Sequence, residues 1–122
     1  MKVKRGDVVL VDYPFSDRTG SKVRPCLVVQ ADRNNQRLDD TIVVTISSRT
    51  RFIDKEPSQL LIDISTPEGK QSGLLANSAV LCENILTVDS GYILRRIGHL
   101  PVELMTRVNE CLVAALGLNR DV

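Results

Sequence analysis

The octapeptide Lys22-Val23-Arg24-Pro25-Cys26-Leu27-Val28-Val29 sets the reading of this chain. Residues 26–29 are apolar and β-branched-rich, so they read as a strand interior packed on both faces. Pro25 fixes its own φ, removes one backbone donor and pushes Arg24 into an extended conformation. The Arg24 charge has to be paired or solvated, because burying it alone is costly. The guanidinium is therefore carried at a strand edge on a backbone with little freedom to relax. On the octapeptide alone that placement reads first as a solvated strand start, with a cation held for a phosphate or a carboxylate as the alternative.

On either side the chain continues as short strands. Residues 8–13 read as a first strand, with Asp12 as a polar interruption near its end and Pro14 as its stop. Residues 16–22 form a turn-rich polar loop. A strand is expected over 25–31, a second polar loop over 32–40, and a β-branched third strand over 41–47. Residues 59–64 alternate Leu60, Ile62 and Ile64 with Gln59, Leu61 and Asp63, as a half-buried strand does. A Pro/Gly/Ser loop over 65–74 precedes short strands at 79–82 and 95–99.

A single helix is expected at the end. From Leu104 apolar residues recur at 105, 108, 111, 112, 115 and 116, Pro101 suits the first turn and Gly117 the stop. Strands at this spacing with few helical gaps predict a mainly β fold, a small antiparallel barrel with a C-terminal helix. No repeat, linker or low-complexity segment divides residues 1–122, which read as one domain. Such a chain buries about two-thirds of its unfolded surface without staples.

Composition narrows the function. Aromatic residues make up 3% of the chain and Trp is absent, which disfavours an aromatic base-stacking platform. Cys26, Cys82 and Cys111 are scattered through apolar runs, and His99 is the single histidine. That set points to reduced thiols in a cytoplasm and away from a zinc site. The opening residues fit neither a signal peptide nor a membrane span. Lys and Arg outnumber Asp and Glu in residues 1–51 and the reverse holds in 52–122, as in a protein with one anion-facing surface.

Four polar clusters fall at strand ends: the 16–22 loop, Arg24, Ser47-Ser48-Arg49 and Glu83-Asn84. Converging on one barrel rim, they would form a site for phosphoryl chemistry. Arg24 would supply charge-assisted bidentate hydrogen bonds, Ser47 a hydroxyl donor and Glu83 a general base. No P-loop, Gly-x-Gly-x-x-Gly, His-Glu-x-x-His or nucleophile-elbow motif occurs. From the residues alone the reading stops at a small β-rich domain with an anion-binding rim.

A resemblance carries it further. Gly6-Asp7-Val8-Val9-Leu10-Val11-Asp12 followed by Arg24-Pro25-Cys26-Leu27-Val28-Val29 resembles the opening of the MazF/PemK toxins of bacterial toxin–antitoxin pairs. Thr41-Ile42-Val43-Val44-Thr45-Ile46-Ser47 is similar to their third-strand block. The run from Ala79 to Asp89, then Arg96-Ile97-Gly98-His99-Leu100 and the final helix, match in order and spacing. The resemblance covers nearly the whole chain. It implies an SH3-like barrel acting as a homodimeric, metal-independent endoribonuclease on single-stranded RNA, with no cofactor. The ribose 2′-hydroxyl would be the nucleophile, leaving a 2′,3′-cyclic phosphate and a 5′-hydroxyl.

Carried over residue by residue, the family's arginine falls on Arg24 and its strand-ending Ser/Thr on Ser47, with Glu83 where some members place a catalytic acid. Arg18, Lys22, Arg49, Asn84, Arg95 and Arg96 are the candidate RNA contacts. Asn84 stands where the family usually has Gln, one methylene longer, and the first loop lacks the family's usual acidic residue, Asp17 being the nearest. The implied partner is an antitoxin with a disordered acidic tail that folds on binding. The alternative is a non-enzymatic binder of the same fold, either a CcdB-like topoisomerase poison or a degenerate toxin. The absence of Trp disfavours the poison, and the retained Arg24 and Ser47 disfavour the degenerate toxin.

Overall fold

The central strands feed a separate core on each face of one sheet, which is why their sequences read as continuous apolar runs. A computed structural model describes residues 2–14, 21–51 and 53–118. Its strands are β1 (Asp7–Pro14), β2 (Ser21–Val28), β3 (Asp40–Ser47), β4 (Gln59–Ile62), β5 (Ser78–Asp89) and β6 (Ile93–His99). They pair antiparallel in the order β4-β5-β3-β2-β1-β6. Successive side chains alternate between faces. Accordingly Val8, Leu27, Val44 and Val80 enter one core, and Val9, Cys26, Val28 and Val43 enter the other.

Among the described residues, α-helices α1 (Asp32–Arg37) and α2 (Pro67–Lys70) lie between strands and α3 (Val102–Leu116) follows the last one. The stripe on α3 lays Met105, Val108 and Cys111 against the first core. Pro101 takes the N-cap position, just outside the first turn, and Gly117 ends the helix in the left-handed conformation at φ +64°. No helix among the described residues is long and apolar enough to cross a membrane.

The expected mainly β architecture with a C-terminal helix is the one observed, with one difference in closure. Among the described residues β4 and β6 are the two edges and do not pair, so the sheet is open. The segment after β4 bridges the gap. Thr66 Oγ1 caps α2 by accepting the Gly69 N–H at 2.9 Å, and beyond α2 the Gln71 carbonyl accepts the His99 N–H of β6 at 2.9 Å. Gly98 lies so close to the Gln71 and Ser72 backbone that a Cβ has no room. A glycine at 98 is what lets this bridge seat on β6.

Other elements also differ from expectation. β2 begins at Ser21 and ends at Val28, so Arg24 lies within the strand, paired with Val11, rather than at a strand start. The expected 65–74 loop holds the short helix α2. The 32–40 segment holds α1, a helix organised by polar contacts. Asn35 is buried, with its Nδ2 donating to the Gln30 carbonyl and its Oδ1 accepting from Gln30 Nε2 and Thr41 Oγ1. The strand expected at 79–82 continues to Asp89, because its pairing with β3 jumps from Leu81 to Ile85 and then resumes. Glu83 and Asn84 sit in that irregularity rather than at a strand end.

Candidate functional site

Arg24 and Ser47 reach one cavity from different strands. Arg24 pairs with Val11, and its neighbour Pro25 pairs with Leu10 of β1, which in turn pairs with Arg95 of β6. The β2-β1-β6 ladder therefore sets Pro25, Leu10 and Arg95 in a row. Ser47 ends β3 opposite Ala79. Its Oγ accepts the Arg49 N–H at 3.1 Å, a turn that stops the strand and fixes the Arg49 backbone beside it.

The cavity has a volume of about 770 Å³. Arg24, Arg49, Arg95 and Arg96 line it together with the hydroxyls of Ser47, Ser48 and Ser78. Its apolar lining includes Leu10, Ile46, Leu74 and Ile97, and no Asp or Glu is among its described lining residues. Four guanidiniums lining one concave, half-apolar site suit it to an anionic ligand. Each guanidinium also offers a planar fork matched to phosphate oxygens.

Arg96 is held from behind by Asp7, Nη1 to Oδ1 at 3.7 Å. The other Asp7 oxygen accepts the Lys4 N–H at 2.9 Å. Cys26, beside Pro25, is buried, and burial pushes its thiol up to about 12, so it carries no thiolate at neutral pH. No three His, Cys, Asp or Glu side chains among the described residues group in a way that could hold a metal ion.

Residues 4–116 match the family of PemK-like, MazF-like toxins of type II toxin–antitoxin systems. This chain belongs to that toxin family. Its relatives include endoribonuclease EndoA of Bacillus subtilis (strain 168), 36% identical over 119 residues and covering 97% of each chain. Among solved structures, an endoribonuclease in complex with its cognate antitoxin from mycobacterial species superposes with a TM-score of 0.77 at 22% identity. That match covers 96% of this toxin and 97% of the other chain. Mycobacterium tuberculosis toxin MazF-mt6 gives 0.73 at 20% identity, covering 93% and 98%. At such identities these two structures establish the fold.

Within this toxin of the PemK/MazF family, Arg24, Ser47, Arg49, Arg95 and Arg96 meet in the cavity, and the other candidates do not. Glu83 lies outside the lining, with Oε1 accepting the Ser58 hydroxyl at 3.0 Å and Oε2 accepting Gln59 Nε2 at 2.7 Å. Neighbouring Asn84 is exposed and likewise outside the lining. Lys22 stands at the start of β2, away from the lining, and Arg18 lies outside the described residues. Sequence reading missed the 73–78 turn, which adds Gly73, Leu74, Leu75 and Ser78 to the cavity. Its one signal was a Leu-Leu pair inside an otherwise polar loop.

Proposed function

We infer that this toxin is an endoribonuclease that cuts single-stranded RNA in the Arg24–Ser47 cavity. The observation that carries the reading is the convergence of four arginines and Ser47 on one cavity whose described lining holds no carboxylate. In the reaction the 2′-oxygen attacks the adjacent phosphorus, the bond to the 5′-oxygen breaks, and the products are a 2′,3′-cyclic phosphate and a 5′-hydroxyl. The 2′-hydroxyl proton passes to solvent water, and the departing 5′-oxygen takes a proton from water, so no net proton is consumed.

Negative charge builds on the non-bridging oxygens as the phosphorus becomes five-coordinate. Arg24 and its neighbouring guanidiniums stabilise that charge, and a preorganised donor of this kind is worth roughly 10²–10³ in rate. Ser47 Oγ accepts from the Arg49 N–H, which leaves its own proton available to donate to a phosphate oxygen. Arginine is a poor proton donor at neutral pH, so Arg24 acts by charge and position. Glu83, committed to Ser58 and Gln59, fastens the far end of the β3–β4 loop, and no proton-transfer role is assigned to it.

The reading makes RNA the cytoplasmic substrate and a homodimer the working unit. The regulator is an antitoxin whose acidic tail neutralises the arginine cavity. Incubating the protein with a long RNA in EDTA tests the core of it. Discrete fragments ending in a 2′,3′-cyclic phosphate are expected, and uncut RNA with folded protein would overturn the reading.

A further inference from the structure

The geometry points to Leu75 as the seat of a nucleobase beside the scissile phosphate, an aliphatic specificity element in a groove otherwise lined with cations. The inference rests on the reading of this cavity as an RNA-cleaving site. Leu75 lines the cavity and is 97% exposed, more than any other large apolar side chain among the described residues. A lone exposed leucine is ordinary on a protein surface. Leu75 differs in how it is held and in what surrounds it.

The turn that carries it is tied on both sides. Leu74 N–H donates to Ser72 Oγ at 3.2 Å, and buried Ser72 donates in turn to the Gly69 carbonyl at 2.5 Å. On the other side, Asn77 Oδ1 accepts the Ile64 N–H at 2.9 Å and Ser78 Oγ donates to the Ala76 carbonyl at 2.9 Å. Gly73, at φ +73°, rests against the Ile97 carbonyl with no room for a Cβ. The turn is thus fixed in shape while its largest side chain makes almost no contact with the fold. Leu75 is left for a ligand that enters the cavity to cover it.

The surroundings say what that is. Leu10, Leu74 and Ile97 add apolar surface to the cavity that Leu75 lines, and Arg24, Arg95 and Arg96 line the same cavity. A nucleotide has this split character, an apolar base face joined to an anionic phosphate. Every base offers a π-face, so aliphatic packing is available to any of them. Guanidinium planes from the same wall can stack on the opposite face. With 3% aromatic residues and no Trp, the chain has little else with which to cover a base. A volume of about 770 Å³ lies within the range of ligand pockets, roughly 300–1,000 Å³. The fit of one base on Leu75 then selects among sequences next to the cut.

The test uses the full chain with Leu75→Ser and Leu75→Phe, beside Arg24→Ala as a separate arm. Cleavage of short single-stranded RNA oligonucleotides gives kcat and KM, and a pool of random sequences gives the ranking of sites. Leu75→Ser is expected to raise KM roughly 3- to 10-fold with kcat little changed. It should reorder the preferred sites and leave the melting temperature unmoved, and Leu75→Phe should restore a low KM. Unchanged KM and ranking in Leu75→Ser, with cleavage lost in Arg24→Ala, would overturn the inference and leave the groove reading intact. Changed dimerisation or antitoxin affinity with unchanged cleavage would overturn it too, giving Leu75 to a protein partner. Full cleavage by Arg24→Ala would overturn the groove reading itself.

Discussion

Asp7 and Arg96 face each other at 3.7 Å where β1 meets β6, with the acid side chain 7% exposed and the guanidinium 57%. The two ends of this pair serve different purposes. Asp7 also satisfies the Lys4 N–H, so its loss strands a partly buried donor. Arg96 reaches the cavity and lies mostly in water. Asp7→Ala should lower unfolding stability by about 1–3 kcal/mol, and Arg96→Ala by less than about 1 kcal/mol. Urea denaturation measures both. Arg96→Ala should instead weaken RNA binding and reduce its salt slope by about 0.7.

Ser47 is expected to matter through its hydroxyl. Ser47→Ala removes one donor to a charged phosphate, a loss of about 10- to 100-fold in kcat. Ser47→Thr keeps the hydroxyl and should recover most of it. Single-turnover cleavage separates the two variants. Equal rates for Ala and wild type would remove Ser47 from the mechanism.

Glu83→Gln distinguishes an anchor from a base. The amide can still accept from Ser58, so kcat should stay within about threefold of wild type, whereas loss of a general base costs about 10²–10⁴-fold. A flattened pH–rate profile with a collapsed kcat would return the proton-transfer role to Glu83.

The buried thiols make stability fall at high pH. Burial pushes Cys26 and Cys82 up to about 12 from an ordinary 9.0. The folded state thus favours the protonated thiol. Its contribution is full below the unfolded value and is lost as pH rises from about 9 toward 12, at about 1.4 kcal/mol per pH unit for each thiol. Chemical denaturation at pH 8, 10 and 11 should show that decline, and Cys26→Ser should reduce its slope.

Much of this molecule could be read from its residues because the reason for each element is local. The helical stripe from Leu104 and the apolar run of Leu27 and Val28 need no knowledge of their partners. Helix α1 was invisible because it has no apolar stripe, and Asn35 holds it through contacts to Gln30 and Thr41. The length of β5 and the position of Glu83 depend on a register jump between Leu81 and Ile85, a property of strand pairing. At the site, Ser47 and Arg49 were legible because a strand end marks them, and Arg24 because Pro25 follows it, although the strand begins earlier, at Ser21. Leu75 was not, since its place in the cavity depends on the 73–78 turn seating against β6 through Gly73 and Ile97.

The central claim is that Arg24 stabilises charge at the scissile phosphate, and single-turnover cleavage of a defined RNA by Arg24→Ala tests it most directly. With the variant shown folded by circular dichroism, the rate should fall by at least about 10²-fold, with Arg24→Lys intermediate. Cleavage by Arg24→Ala at the wild-type rate, giving the same cyclic-phosphate ends, would contradict the account.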